Sequence, residues 1–330
     1  MLIPILLFIV GLLLLIKGGD WFVDGACAIA HRFKMSELII GATIVSIGTT
    51  LPEVMVSATS AFQGISGLAY GNAIGSIICN SALIAAFSMT VRPTTANRKH
   101  LIFPTVFFFL SSFIYLFSAY YFREFTRVTG AILLGMTALY MVTSIVATKK
   151  MEKNEPQATE SASEESEEAE QKQRPILLEI LFLILGGAAI AIGADLLVDN
   201  GQILARLLGI PEVIIGLIFV ALGTSLPELV TAITSLIKGH SSMSLGNIIG
   251  ANILNLTLVS GLASTIRPFD LPAENMISGI PSSLVVDLPV MLLAMLMLTV
   301  PTLIRGKVSR VQGILMLAVY FGFCIFSFTL

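Results

Sequence analysis

The sequence predicts an all-α membrane protein of ten transmembrane helices, built as two inverted five-helix repeats whose helices break at matching places. Three observations predict it. Apolar stretches of about 20 residues follow one another almost throughout, which is the length a helix needs to cross a bilayer. Gly48-Thr49-Thr50-Leu51-Pro52-Glu53 returns as Gly223-Thr224-Ser225-Leu226-Pro227-Glu228, shifted by 175 residues. Each half holds five spans, and an odd number sends the second half through the membrane from the opposite face.

The composition agrees. Of 330 residues, 55% are hydrophobic and 12% charged, about half the charged share of a soluble domain. Net charge is −2, but eight of the 21 acids crowd between Glu152 and Glu170. Cys27, Cys79 and Cys324 are odd in number and widely spaced, which argues against a disulfide framework and against a zinc site. The N-terminus lacks a basic stretch and a cleavage site, so residues 2–16 read as part of the first span and not as a removable signal.

In order, the spans are expected at about 2–30, 36–62, 69–91, 101–121, 126–148, 175–206, 210–237, 243–265, 277–301 and 308–329. The first and sixth are long for a core of about 30 Å and should tilt or bend, with Gly18-Gly19 and Gly186-Gly187 as flexible points. Ser36 reads as the N-cap of the second span, and Pro211-Glu212 as the first turn of the seventh. In the third span Asn72, Ser76 and Asn80 share one helix face; Asn247, Ala251 and Asn255 form the corresponding stripe of the eighth. Gly71 and Gly75, like Gly246 and Gly250, make small-xxx-small steps that let helices approach closely. The 175-residue register also pairs Asp20 and Asp24 with Asp195 and Asp199, Glu37 with Glu212, and Arg92-Pro93 with Arg267-Pro268, without a gap. The domains are therefore residues 1–148, a first repeat; 149–174, an acidic cytosolic linker too polar to order itself; and 175–330, a second repeat.

Basic residues set the orientation. With the N-terminus outside, fourteen Lys and Arg fall in inner loops, against Arg123, Arg127, Arg206 and Arg267 in outer ones. That bias puts both termini outside.

A glutamate at bilayer depth is costly and marks a site. Pro52 and Pro227 lack an N–H, which frees the carbonyls of Gly48 and Gly223. Glu53, Glu228 and the hydroxyls of Thr49, Thr50, Thr224 and Ser225 add oxygens to that set. An all-oxygen, anionic cage suits Ca²⁺ or Na⁺ better than Mg²⁺ or softer metals. Asn80 and Asn255 read as further ligands; Asn72 and Asn247 read as packing or capping residues. Lys17 is expected to snorkel or to pair with Asp20. One Ca²⁺, two Na⁺ or two protons would neutralise two ionised glutamates. A site that is charged only when empty should resist reorienting empty, which is a route to obligatory exchange.

The paired G-T-[ST]-L-P-E motifs, each followed by G-N-x-x-G, resemble those of the cation/calcium exchanger superfamily, in its prokaryotic sodium/calcium exchanger branch. The alpha-repeats of that family look like Gly41–Ile84 and Gly216–Val259 here, and the similarity extends to Gly19-Asp20-Trp21-Phe22-Val23. The resemblance implies an antiporter working by alternating access, not an enzyme. It implies Ca²⁺ bound by Glu53 and Glu228 with the carbonyls of Thr49 and Thr224. It implies Na⁺ bound through the carbonyls of Ser46 and Ala221 and the side chains of Ser76, Asn80, Glu53 and Glu228. It further implies electrogenic exchange near three Na⁺ per Ca²⁺. Asn255 stands where some relatives have aspartate, and its amide favours K⁺ independence; Ala251 replaces a frequent serine. Ca²⁺, Na⁺ and the lipid bilayer are the expected partners, with no nucleic acid and no cofactor, for a monomer in a prokaryotic plasma membrane.

Three other readings compete with this one. A calcium/proton antiporter could use the same glutamates, although Gly75 and Gly250 stand where the proton branch usually adds an acid. A passive channel would more naturally form its pore from several subunits. An intramembrane aspartyl protease needs two close aspartates sharing a proton.

Overall fold

The structure, a computed structural model, describes residues 2–33, 35–154, 175–207, 223, 225–273 and 276–329. Nine helices among these are long and apolar enough to cross a membrane, and Leu226–Ile237 is a shorter apolar helix. The helices are α1 (Leu2–Arg32), α2 (Glu37–Ile40), α3 (Ser46–Gln63), α4 (Ser66–Ile78), α5 (Ala86–Val91), α6 (Arg98–Phe117) and α7 (Arg127–Asn154). They continue with α8 (Ile176–Leu207), α9 (Leu226–Ile237), α10 (Ser241–Leu254), α11 (Ser260–Ile266), α12 (Leu288–Arg305) and α13 (Arg310–Thr329).

Three spans contain a π-helical turn that joins two α-helical segments. Gly41–Val45 links α2 to α3, Cys79–Ala85 links α4 to α5, and Asn255–Val259 links α10 to α11. Such widened turns leave backbone groups seeking partners. The buried Tyr140 hydroxyl donates to the Ala42 carbonyl at 2.9 Å, inside the first of them. Thr137 donates to the Thr257 hydroxyl at 2.9 Å, inside the third. Both residues sit on α7.

α1 and α8 run antiparallel as a pair. Gly11 lies against Gly193, Gly18 against Gly186, and Gly25 against Leu183 and the Glu179 carbonyl; a Cβ on Gly18 would fall 2.9 Å from the Gly186 carbonyl oxygen. At the end of the pair Arg32 grips Glu179 with two hydrogen bonds of 3.0 Å. α1 has 31 residues, about 46 Å at 1.5 Å per residue, so it must tilt in a bilayer. Leu15, Phe22, Val23, Ile40, Ile190 and Met243 form the core beneath this pair, separate from the main core built on Ile74, Ile77, Phe108, Tyr115, Ile253 and Met291.

Local details repeat at the 175-residue offset. Gly64 and Gly239 both have positive φ, +79° and +88°. Ile65 and His240 donate their N–H groups back to Ser60 and Ser235, each at 2.8 Å. Arg92 and Arg267 both end their helices in extended backbone. At the face where α1 ends, Lys238 pairs with Asp24 at 2.6 Å and Asp20 at 3.5 Å, and His240 Nδ1 meets Glu37 at 2.6 Å. That bond to Glu37 holds the His240 pKa above its ordinary value, against the opposing effect of burial. Lys17 lies 3.9 Å from Asp20, as anticipated. Ser36 is the N-cap of α2, accepting from the Ile39 N–H at 3.4 Å.

The structure corrects four expectations. α3 runs unbroken through Pro52, and the irregularity lies two turns or more earlier, in Gly41–Val45. The proline removes one backbone bond, but its φ suits a helix. Residues 276–281 are not the start of a span: β3 (Met276–Ile277) and β4 (Ile280–Pro281) form a hairpin whose turn residues Ser278 and Gly279 have φ of +50° and +81°, as a two-residue turn requires. β1 (Glu124–Phe125) pairs with β2 (Phe269–Asp270) in another short ribbon. α7 extends past 148 to Asn154, into the segment read as linker. Gly71 and Gly75 face open space, whereas Gly246 packs on Leu38 and Gly250 on Ala42. The start of the seventh span at Pro211-Glu212 and most of the linker lie outside the described residues.

The glycine asymmetry is testable. A Cβ on Gly250 would meet Ala42 backbone atoms at 2.5–2.7 Å. Gly250→Ala should therefore destabilise the protein by about 1–3 kcal/mol, read as a lower melting temperature in detergent. Gly75→Ala, at the matching position, should not lower it. Equal effects of the two substitutions would contradict this packing.

Candidate cation site

α3, α4, α9 and α10 meet at the centre of the main bundle. Glu53 on α3 and Glu228 in the first turn of α9 are both fully buried. The carboxylates are near enough to repel one another, Ser76 lies beside Glu53, and Thr49 lies beside Glu228. None of the four carboxylate oxygens has a hydrogen-bond partner. Among the described residues no cationic side chain pairs with either.

Orphaned polar atoms concentrate here. Among the described residues, seventeen buried side-chain nitrogen and oxygen atoms have no partner, and ten belong to Thr50, Glu53, Asn80, Ser225, Glu228 and Asn255. Buried polar groups are ordinarily bonded, so such a cluster marks atoms turned toward something other than protein. Every one of those six residues is a ligand candidate in the sequence.

The remaining candidates fall as follows. Ser46 is buried, and its hydroxyl donates to the Thr43 carbonyl at 3.0 Å. Thr49 is buried, with its hydroxyl 3.2 Å from Asn247 Oδ1 and 3.4 Å from the Ser46 carbonyl. Ser76 is buried on α4. Thr224 and Ala221 lie outside the described residues. Gly223 and Ser225 form a turn ahead of α9, with the Leu226 N–H 3.3 Å from the Gly223 carbonyl. α9 thus begins at a turn just ahead of Pro227, whereas α3 is unbroken at Pro52; residues 208–222 lie outside the described residues.

Asn72 and Asn247 brace the glutamates, in line with the packing role read for them. Asn72 donates to the Glu53 carbonyl at 3.1 Å and to Ser57 at 2.8 Å, fastening α4 to α3. Asn247 accepts from Thr49 and donates to Thr231 at 3.0 Å; Thr231 in turn reaches the carbonyls of Pro227 and Glu228. One α10 amide thereby ties α3 to α9. Ser57 and Thr231 escaped the sequence reading because the repeat register does not match them: Ser57 aligns with Ala232. Helical spacing could have found them, since they follow the glutamates at i+4 and i+3.

Two clefts flank the bundle. One, of about 240 Å³, is lined by Ala61, Gly64, Ser66, Arg267 and Asp270. The other, of about 20 Å³, is lined by Leu236, Ser241, Ser88 and Arg92 among others. Ala61, Ser66 and Arg267 correspond to Leu236, Ser241 and Arg92 at the 175-residue offset. In the smaller cleft Arg92 donates to the Leu236 carbonyl at 2.6 Å.

The model of the family described as sodium/calcium exchanger protein matches residues 3–146 and 178–329. Among curated relatives, the chain is 35% identical to the putative antiporter CaxA of Alkalimonas amylolytica, over 98% of both chains. It is 31% identical to the sodium/calcium exchanger MaX1 of Methanosarcina acetivorans, again over 98% of both. It is similar to the solved structure of the sodium-calcium exchanger NCX_Mj soaked with 2.5 mM Na⁺ and 0.1 mM Ca²⁺, with a TM-score of 0.79, 30% identity and coverage of 97% of this chain and 96% of that one. With a bundle of apolar helices, two buried carboxylates at its centre and these likenesses, the chain belongs to the sodium/calcium exchanger family, whose members are multi-pass membrane transporters and not enzymes.

Proposed function

We propose that this protein exchanges Na⁺ for Ca²⁺ across the membrane by alternating access, with the ions held between Glu53 and Glu228. The carrying observation is the pair of buried carboxylates without hydrogen-bond partners, surrounded by the orphaned atoms of Thr50, Asn80, Ser225 and Asn255. A bound cation supplies the missing charge and the missing contacts together. Both glutamates and the carbonyls of Thr49 and Thr224 bind Ca²⁺. Ser76, Asn80, Asn255 and the carbonyls of Ser46 and Ala221 complete the Na⁺ positions, with Thr50 and Ser225 adding hydroxyls. The exchange ratio in this reading is near three Na⁺ per Ca²⁺.

The halves, 1–148 and 175–330, act as inverted repeats joined by a cytosolic linker at 149–174. The antiparallel contact of α1 with α8 and the backbone details repeated at a 175-residue offset support this arrangement. The basic residues favour both termini outside a prokaryotic plasma membrane. The names of MaX1 and NCX_Mj favour Na⁺ as counter-ion. The chain works as a monomer in this reading, since one bundle contains the whole site.

Two outcomes are expected in proteoliposomes. A Na⁺ gradient drives ⁴⁵Ca²⁺ uptake without K⁺; uptake driven by a pH gradient alone would assign the calcium/proton alternative. Glu53→Gln and Glu228→Gln each lower Na⁺-driven uptake by roughly 100-fold or more, because affinity in an oxygen cage spans decades with ligand charge. Both variants remain monodisperse but lose the thermal stabilisation that Ca²⁺ gives the parent. Near-normal exchange by either would refute the assignment.

A further inference from the structure

Cys27 on α1, Glu37 in the first turn of α2 and His240 in the turn before α10 present a sulfur, a carboxylate oxygen and an imidazole nitrogen, all within 4.8 Å of one another. His240 lies 203 residues from Glu37, so the cysteine spacing, which argued against zinc, carried no sign of the cluster. Cys27 is buried, and the side chains of Glu37 and His240 are 28% and 25% exposed. The cluster therefore has a dry floor and a solvent-facing mouth. It is separate from the Glu53–Glu228 centre and lies at the face where α1 ends.

The donor set is selective. Thiolate and imidazole favour Zn²⁺ and its neighbours over Ca²⁺, Na⁺ or Mg²⁺. Tetrahedral Zn²⁺ with bonds of about 2.0–2.3 Å holds its ligand atoms roughly 3.3–3.7 Å apart. His240 Nδ1 and Glu37 Oε1 are 2.6 Å apart, so the ion displaces the proton between them and the Cys27 thiol proton, both released to solvent, and separates the pair by about an ångström. The turn carrying His240 can give, because it pivots on Gly239 at φ +88°. The charge is favourable. Lys238 is held by Asp24 and Asp20, and Lys17 lies near Asp20, which leaves the group of Asp20, Asp24 and Glu37 with one negative charge in excess.

We propose that Cys27, Glu37 and His240 form a binding site for a divalent cation of the Zn²⁺ class, which when filled clamps α1 to the elements on either side of the glutamate centre. α1 packs on α8 and, at Gly19, on Val230 and Thr234 of α9; α2 leads into α3 with Glu53, and the turn with His240 joins α9, which carries Glu228, to α10. A three-ligand bridge between them opposes relative movement. The binding part stands alone, and the clamp rests on the transport reading above.

The test uses the full chain in detergent, with Zn²⁺ and Co²⁺ as probes. One Zn²⁺ should bind by calorimetry, and Co²⁺ should give a near-ultraviolet thiolate-to-metal charge-transfer band. Cys27→Ser should abolish the band, and Cys27→Ser and His240→Gln should each weaken Zn²⁺ binding at least tenfold. His240→Gln lies in a turn and serves should Cys27→Ser fail to fold. Glu53→Gln should bind Zn²⁺ as the parent does, so a failure of the transport reading would leave this result standing. Absence of the band in the parent, or parent-like Zn²⁺ binding by both variants, would overturn the site. In vesicles, Zn²⁺ on that face should slow Ca²⁺ exchange by the parent at least tenfold but not by Cys27→Ser; unchanged exchange by Zn²⁺-loaded parent would overturn the clamp.

Discussion

Two carboxylates buried together without a counter-charge organise this molecule. Taking one ionised group out of water costs several kcal/mol even after relaxation, and two that repel cost more. Hydrophobic collapse cannot offset that locally, because lipid is as apolar as the bundle. Glu53 and Glu228 are tolerable together only if a cation shares the space or a proton neutralises one of them. The bracing around them therefore has to hold the empty geometry, and Asn72 and Asn247 do so through backbone and hydroxyl contacts that leave the carboxylate oxygens free.

The contrast with the rest of the interior separates liganding atoms from structural ones. Away from the centre only seven unpartnered side-chain atoms are left over among the described residues, scattered one to a residue, and other buried polar groups serve a widened turn or a helix crossing. Tyr140 serves the Ala42 carbonyl, Ser260 serves the Asn255 carbonyl at 3.1 Å, and Asn252 donates to Ser81 at 2.7 Å. Gln312 reaches the Met297 carbonyl at 2.7 Å. A helix bundle in lipid must satisfy its backbone internally, and this one does so with side chains from neighbouring helices. Asn80 and Asn255 could have done the same and do not. Their amides are left over together with the glutamates, which fits ligands better than interhelical glue.

The sequence displayed the repeat, the motif glutamates and most of the spans because those depend on residue type at fixed spacing. It did not display what depends on the partner across the interface. Gly71-xxx-Gly75 and Gly246-xxx-Gly250 are the same pattern, yet only the second has a helix against it. Pro52 and Pro227 are the same residue in the same motif, yet α3 passes through one while α9 begins at the other. The π-helical turns carry no compositional mark; they are fixed by contacts such as Tyr140 to Ala42, about 100 residues away in sequence. The Ser278-Gly279 turn was readable in principle, since Ser-Gly punctuates strands, but it was hidden in an apolar run. Cys27, Glu37 and His240 meet only because α1, α2 and the turn before α10 converge.

If the exchange is three Na⁺ for one Ca²⁺, as proposed, charge counting assigns the current to one half of the cycle. The centre offers two negative charges, and the positions of Asn80 and Asn255 offer none. With Ca²⁺ bound, the occupied centre is neutral and crosses the bilayer at little electrostatic cost. With three Na⁺ bound it carries one positive charge, so the membrane potential, at about 2.3 kcal/mol per charge per 100 mV, acts on the Na⁺-loaded step. Placing an aspartate at 255 would move that charge from the Na⁺ step to the Ca²⁺ step, by making the Ca²⁺ form −1 and the three-Na⁺ form neutral. In that cycle the amide at 255 would be more than a weaker ligand: it would decide which ion's passage the voltage drives.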